Sequence, residues 1–199
     1  MLTLILGGAR SGKSDLALRM ARESGRDVLF VATMEPGDAE IRARIAKHRA
    51  QRPPAWRTLE EPLELTDALR HAAAPESFVV VDCITVWVAN LLARRLPDPD
   101  AIVPPDADAA TDEVAQRARE FAAWSVSYPG HVAVVSNEVG LGVVPAYPLG
   151  RVFRDALGSA NRTLAQRADR AYYLVAGLAV ELTSLGALPV HTFDGDRQR

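Results

Sequence analysis

The sequence has little of what marks secreted, membrane or nucleic-acid-binding proteins. Its one cysteine, Cys83, cannot form a disulfide within the chain, and it follows an apolar run where a small buried side chain is expected. The first apolar run, residues 2–6, is too short for a signal peptide or a membrane span. The 23 basic and 25 acidic residues nearly cancel, so no net field attracts nucleic acid or an anionic membrane. We therefore expect a cytoplasmic protein with a small-molecule substrate, no membrane span and no nucleic-acid partner.

The length of the chain indicates one domain. Its 199 residues, 48% of them hydrophobic, suffice for one sizeable core, so we predict a single domain over residues 1–199. Residues 97–108 hold four prolines and four aspartates, with little to bury. This composition predicts a mobile surface excursion at about 97–110.

The hydrophobic pattern alternates between strand-like and helix-like segments. Strands are predicted at 2–6, 27–32, 78–81, 131–136 and 171–176, the last serving as the final core strand. Helices are predicted at 13–23, 38–52, 63–73, 84–96, 111–127 and 149–168. Helix 84–96 is apolar on most sides, which favours packing beneath another element such as a neighbouring subunit. The alternation predicts an α/β fold with a mostly parallel sheet, whose ligands lie beyond the carboxyl ends of the strands.

A phosphate-binding loop follows the first predicted strand. Its residues, in order, are Gly7, Gly8, Ala9, Arg10, Ser11, Gly12, Lys13 and Ser14, which match G-x-x-x-x-G-K-[ST] between a strand and a helix. Glycines allow backbone N–H groups to surround phosphate oxygens, and the start of the helix adds its positive dipole. Lys13 is expected to contact the β- and γ-phosphates, and the Ser14 hydroxyl is expected to bind Mg²⁺. The loop predicts a bound purine nucleoside triphosphate.

Asp82 ends the apolar run at 78–81, at the edge where ligands are expected. Such a carboxylate holds Mg²⁺ in many P-loop proteins. It could also accept a proton from a substrate hydroxyl, or cap the next helix. The sequence leaves these three roles open.

His48 shares one face of the predicted 38–52 helix with Ile41 and Ile45, because these residues are spaced four and three apart. Its side chain is therefore expected to point inward. A packed core or interface histidine is one interpretation of this pattern, and a nucleophile is the other.

Several further blocks make the chain similar to one family, the bifunctional adenosylcobinamide kinases / adenosylcobinamide-phosphate guanylyltransferases. The blocks are GGARSGKS at 7–14, R-I-x-x-H-x-x-x-R-P at 44–53, D-C-I-T at 82–85, S-N-E-V-G-x-G-x-V-P at 136–145 and R-x-F-R-D-x-x-G-x-x-N at 151–161. The resemblance covers most of the chain. A generic P-loop kinase shares only the first block.

The resemblance implies two reactions: phosphorylation of a hydroxyl on cobinamide by a nucleoside triphosphate, then transfer of GMP from GTP onto that phosphate. His48 matches the family's guanylylated histidine, and Glu60 is assigned with the loop to the nucleotide site. ATP and GTP are the implied substrates, with Mg²⁺ as cofactor. The resemblance also implies a recombinase-A-like sheet and a homotrimer. The alternatives are another P-loop small-molecule kinase, which leaves His48 without a chemical role, and a non-catalytic nucleotide switch.

Overall fold

A seven-stranded sheet forms the centre of the computed structural model, which describes residues 1–35, 37, 42–43, 46, 49–50, 52–96 and 106–190. The strands are β1 (Leu2–Gly7), β2 (Val28–Ala32), β3 (Arg57–Glu60), β4 (Phe78–Asp82), β5 (His131–Val135), β6 (Arg170–Val175) and β7 (Leu178–Glu181). Their order in the sheet is β3-β2-β4-β5-β1-β6-β7. Only β7 pairs antiparallel, with β6, so the sheet of the described residues is mostly parallel, as predicted.

Helices cover both faces of this sheet. In the described part of the chain they are α1 (Lys13–Glu23), α2 (Leu65–Ala72), α3 (Ile84–Arg95), α4 (Ala107–Ser127) and α5 (Pro148–Ala165), with a short 3₁₀ helix at Thr183–Leu185. Helix α1 packs on one face and α2 to α5 form the core on the other. None of the described helices is long and apolar enough to cross a membrane.

The central strands are apolar on both faces because helices bury both. In β4, Val79 and Val81 point into the core with α2 to α5, while Phe78 and Val80 point into the core with α1. All four side chains are at most 1% exposed. This two-sided burial explains why the strand reads as a continuous apolar run.

Most predicted elements are confirmed within a few residues, and α1 matches its predicted bounds. Helix α4 begins at Ala107, four residues before the predicted start, because Ala110 is buried and lengthens the helix face that faces the core. The predicted 38–52 helix falls largely outside the described residues, as do residues 97–105 of the predicted excursion.

Both edge strands differ from the prediction. β3 and β7 were not predicted, and 171–176 is therefore not the last strand of the sheet. The two strands have four residues each and none of their residues is buried, so neither carries the apolar run that reveals the central strands.

Helix α3 buries its apolar residues within its own chain. Trp87, Val88 and Leu92 are at most 2% exposed and belong to the core formed with α2, α4 and α5. The apolar character of α3 is therefore explained by the helices of this chain packed over it.

Candidate active site

The carboxyl ends of β1, β5, β4 and β2 lie side by side, and they bring the phosphate loop and Asp82 to one edge of the sheet. The phosphate loop follows β1, and Asp82 ends β4, with β5 between these two strands. Strand alternation places the Asp82 side chain on the same face as Val80, the face covered by α1. Lys13, the first residue of α1, lies on that face too.

The backbone of the phosphate loop takes conformations that favour glycine. Gly7 has φ of 152°, and a Cβ there would lie 2.4 Å from the Leu174 carbonyl oxygen of β6. Gly12 has φ of 94°, and Arg10 has φ of 56°. The Ser11 carbonyl oxygen accepts a hydrogen bond of 3.2 Å from the Gly177 N–H in the β6–β7 turn. The loop is thus braced from β6 and its turn, a contact that the sequence did not reveal.

The Lys13 side chain lies over the phosphate loop. Its side chain is 6% exposed, and Nζ donates a hydrogen bond of 2.6 Å to the Gly8 carbonyl oxygen. Burial lowers the pKa of Lys13, and the nearby Cys83 and Asp82 partly offset that effect. Ion pairs recorded among the described residues do not include Lys13. The ammonium group therefore retains donors for a phosphate.

A hydrogen-bond lock fixes the backbone around Asp82. Thr33, fully buried after β2, donates from Oγ1 to the Cys83 carbonyl oxygen at 2.8 Å and accepts from the Cys83 N–H at 2.9 Å. Asn90 of α3 donates to the Thr33 carbonyl oxygen at 2.8 Å. The N-cap of α3 is Cys83 and not Asp82, which does not favour the capping interpretation. The lock presents Asp82 at the sheet edge.

Cys83 is partly buried, and burial, followed by the charge of Asp82, raises its pKa to about 11. Its thiol is therefore neutral near pH 7 and is a poor nucleophile. This agrees with the expected packing role.

Arg52 lies near this edge of the sheet, and the sequence assigned it no role. Its guanidinium carbon lies 3.6 Å from the centre of the Phe30 ring, a stacked cation–π contact on β2. Its Nε is buried and has no hydrogen-bond partner. Burial lowers the pKa of Arg52, whereas Asp82 and Glu60 oppose that shift. Glu60 itself ends β3 and pairs with Arg49 at 3.6 Å.

The segment after β5 is organised by α5. Ser136 donates to the Asn161 side-chain oxygen at 2.6 Å, and the Asn161 amide donates to the Asn137 carbonyl oxygen at 3.0 Å. Arg151 donates to the carbonyl oxygens of Pro145 and Ala146 at 3.0 and 2.8 Å. These residues of the later sequence blocks thus shape the loop at 136–147.

Two oxygen donors at this edge fit Mg²⁺. The Ser14 hydroxyl is at the start of α1, and the Asp82 carboxylate ends β4. Mg²⁺ is typically bound by one or two protein oxygens together with substrate phosphates and water, and not by an all-protein cage. The described residues contain no cluster of three or more His, Cys, Asp or Glu side chains suited to a metal. His48 lies outside the described residues.

The sheet, the loop and Asp82 define a P-loop nucleotide-binding protein. One solved structure with this fold is a prototypical ATPase from the type III secretion system of pathogenic bacteria, with a TM-score of 0.50 at 12% identity. That match covers 96% of this chain and 59% of the ATPase, and it supports the α/β P-loop fold alone.

The particular family follows from comparison of sequences. Residues 3–182 match the family described as cobinamide kinase / cobinamide phosphate guanyltransferase. The bifunctional adenosylcobalamin biosynthesis protein CobP of Pseudomonas aeruginosa is 44% identical, over 92% of this chain and 97% of that protein. The bifunctional adenosylcobalamin biosynthesis protein CobU of Escherichia coli is 38% identical, over 92% of this chain and 99% of that protein. The chain belongs to this family, and the predicted resemblance is confirmed.

Proposed function

We propose that this chain phosphorylates adenosylcobinamide with a nucleoside triphosphate and then transfers GMP from GTP to the product through a guanylyl-His48 intermediate. The observation that carries the proposal is the pairing of a braced phosphate loop with Asp82 on one face of one sheet edge, in a chain of this family. The product of the two reactions is adenosylcobinamide-GDP, an intermediate in cobalamin biosynthesis.

In the first reaction, the cobinamide hydroxyl oxygen attacks the γ-phosphorus of the triphosphate. The bond from that phosphorus to the β-phosphate oxygen breaks, and the nucleoside diphosphate leaves. Lys13 and the loop N–H groups stabilise the negative charge that develops on the phosphate oxygens. Asp82 lies at the correct edge to accept the hydroxyl proton or to hold the metal. Mg²⁺, bound by Ser14 and Asp82, would supply charge neutralisation on the phosphates.

In the second reaction, a neutral ring nitrogen of His48 attacks the α-phosphorus of GTP and pyrophosphate leaves. A phosphate oxygen of adenosylcobinamide phosphate then attacks the same phosphorus, the N–P bond breaks, and histidine is regenerated. An ordinary histidine pKa of about 6.5 leaves most of the imidazole neutral at pH 7. The covalent route divides one difficult displacement into two easier ones.

A homotrimer is part of the proposal. Several large apolar side chains are exposed on the 136–147 loop and near β7, including Leu141, Val143 and Leu178 at 81%, 95% and 74% exposure. Surfaces of this kind mark contacts between proteins. Sedimentation equilibrium of the purified protein should give three times the 21.5 kDa chain mass.

The intermediate is tested by incubating the protein with GTP and Mg²⁺ and measuring its intact mass. One GMP should be added, in a linkage that is labile to acid and stable to base, because a protonated phosphoramidate nitrogen leaves readily. His48→Ala should lose both the adduct and guanylyl transfer. It should retain cobinamide phosphorylation, which needs no enzyme nucleophile.

His71→Ala is the matched control, since His71 is exposed on α2 and hydrogen-bonds only within that helix. It should form the adduct as wild type does. An adduct on Lys47 would keep covalent catalysis and overturn the assignment to His48. Full guanylyl transfer by His48→Ala, with no adduct during turnover, would overturn the intermediate itself.

A further inference from the structure

Arg52 lies on the opposite side of Asp82 from the phosphate loop. The strand order across the edge runs β2, β4, β5, β1, so Asp82 on β4 separates Phe30 on β2 from the loop after β1. Arg52 stacks on Phe30, whose side chain points to the same face as Lys13 and Asp82. The site therefore has a cation on each side of one carboxylate.

The environment of Arg52 is unusual for a structural arginine. Buried arginine groups are normally hydrogen-bonded or paired, because an unpartnered buried donor loses its hydration without compensation. Here Nε is buried with no partner, and no hydrogen bond or ion pair is recorded for the side chain among the described residues. The charges of Asp82 and Glu60 oppose the lowering of the Arg52 pKa by burial, so both carboxylates lie near enough to act on the guanidinium. The Phe30 ring fixes the plane of the group, which leaves planar donors available for an anion.

The two proposed reactions differ in their need for a second cation. In both reactions, the phosphate loop and Lys13 bind the triphosphate. The acceptor is a hydroxyl in the first reaction and a phosphate in the second, so only the second brings an additional anion to the site. Arg52 follows His48 by four residues, which limits their separation to about 14 Å of extended chain. This limit is compatible with an acceptor phosphate at Arg52 meeting a phosphorus atom carried by His48.

We propose that Arg52, stacked on Phe30 beside Asp82, binds the phosphate of the acceptor during guanylyl transfer and makes the second reaction selective for a phosphate ester. This inference rests on the function proposed above. Arg52 takes no part in breaking or forming bonds. Its role is to bind and orient the acceptor's phosphate oxygens toward the guanylylated enzyme.

The test separates formation of the enzyme–GMP adduct from its discharge. Arg52→Gln and Arg52→Met are compared with wild type. Methionine keeps an apolar contact with Phe30, so Arg52→Met serves as the test variant if Arg52→Gln fails to fold. Arg57→Gln is the control, because Arg57 is exposed at the other end of β3 and far from the sheet's carboxyl edge. Each protein is first loaded with GMP from GTP and then given adenosylcobinamide phosphate.

Both Arg52 variants should form the adduct at the wild-type rate and phosphorylate adenosylcobinamide with a near-normal KM. In guanylyl transfer the KM for adenosylcobinamide phosphate should rise by about ten- to a hundredfold, the range expected for loss of hydrogen bonds between charged groups. Inorganic phosphate should compete with the acceptor in wild type and in Arg57→Gln. That competition should be lost in both Arg52 variants. Arg52→Lys should fall between, since lysine keeps the charge and loses the planar donors.

Two results would overturn the assignment of Arg52. One is a folded Arg52→Met protein that has the wild-type KM for adenosylcobinamide phosphate and in which inorganic phosphate still competes with that acceptor. The other is an equal loss of adduct formation and transfer, which would place Arg52 on the triphosphate instead. A wild-type protein that forms no adduct would overturn the proposed function, and that result is seen before any variant is compared.

Discussion

The carboxyl edge of the sheet, where the parallel strands end, and the amino edge, where they begin, both hold ionisable groups, but the partners of these groups differ. At the amino edge, His131 contacts Thr3 Oγ1 through Nε2 at 2.8 Å and lies 4.3 Å from the Phe78 ring centre. Asp169 accepts a hydrogen bond of 2.7 Å from the Leu2 N–H. At the carboxyl edge, Lys13 has mainly a carbonyl partner, and the Arg52 Nε has none.

Lowered pKa values therefore do not distinguish the functional edge from the structural one. Burial is the first cause of the lowered pKa of His131 and of Lys13 alike. The difference is that the polar groups of the amino edge are satisfied within the chain, whereas those of the carboxyl edge keep donors for a ligand. Unused hydrogen-bonding capacity at a strand's carboxyl end is the feature that points to chemistry here.

The largest effect is expected from Lys13→Ala at the carboxyl edge. One triphosphate site serves both proposed reactions, so both should slow by about a hundredfold or more when the ammonium group is removed. Steady-state assays of kinase and guanylyl transfer measure the loss, and circular dichroism checks the fold. Arg19→Ala is the matched control, since Arg19 is exposed on the same helix. Near wild-type turnover of GTP by folded Lys13→Ala would contradict the shared site.

Asp82→Asn, at the same edge, is expected to slow turnover much more than it weakens nucleotide binding. The substitution keeps the side chain's shape and removes its charge, so nucleotide binding should be nearly unchanged. Turnover should fall by about ten- to a hundredfold with a higher Mg²⁺ requirement, because a metal ligand or base is lost. Mg²⁺ titration of activity measures this. Asp112→Asn, an exposed change on α4, should match wild type. An Asp82→Asn protein with wild-type activity and metal dependence would make Asp82 a structural residue.

Features of this molecule that are set by a local sequence pattern could be predicted, whereas features that depend on tertiary contacts could not. The phosphate loop and the strand before Asp82 are local patterns, and both lie where they were predicted. The edge strands β3 and β7 were missed because their short, half-exposed segments gain strand structure only from pairing with β2 and β6. One sequence signal was available for β7, namely Gly177, because glycine favours the positive φ that Ala176 and Gly177 both adopt in the two-residue turn before β7.

The site shows the same division. Lys13, Ser14 and Asp82 could be chosen from motif and position. Arg52 belongs to the R-I-x-x-H-x-x-x-R-P block, but its role could not be chosen from that block, because the role is inferred from the Phe30 ring beneath it and from a buried Nε without a partner. The contact with Phe30 joins segments more than 20 residues apart, so no local pattern contains it. The bracing of the phosphate loop by Gly177 is a tertiary contact of the same kind.

The smallest effect is expected at the amino edge, from His131→Gln. Burial, followed by the charge of the amino terminus, lowers the pKa of His131 to about 4. The unfolded chain takes up a proton there near pH 6.5, but the folded chain does not until about pH 4. More protons are then bound by the unfolded state across this window, so this contribution to stability is lost as pH falls from about 6.5 to about 4.

Urea unfolding of wild type and His131→Gln at pH 7 and pH 5 measures the contribution of His131 to the free energy of unfolding, because the contributions of the other titratable groups cancel between the two proteins. The wild type should lose more unfolding free energy than the variant between the two pH values. The excess should be on the order of 1 kcal/mol, because His131 is only partly buried and solvent screens part of its shift. Both activities at pH 7 should be unchanged, since glutamine can keep a hydrogen bond to Thr3. Equal losses in the two proteins would show that His131 is freely protonated in the fold, and a loss of activity would erase the distinction between the two edges.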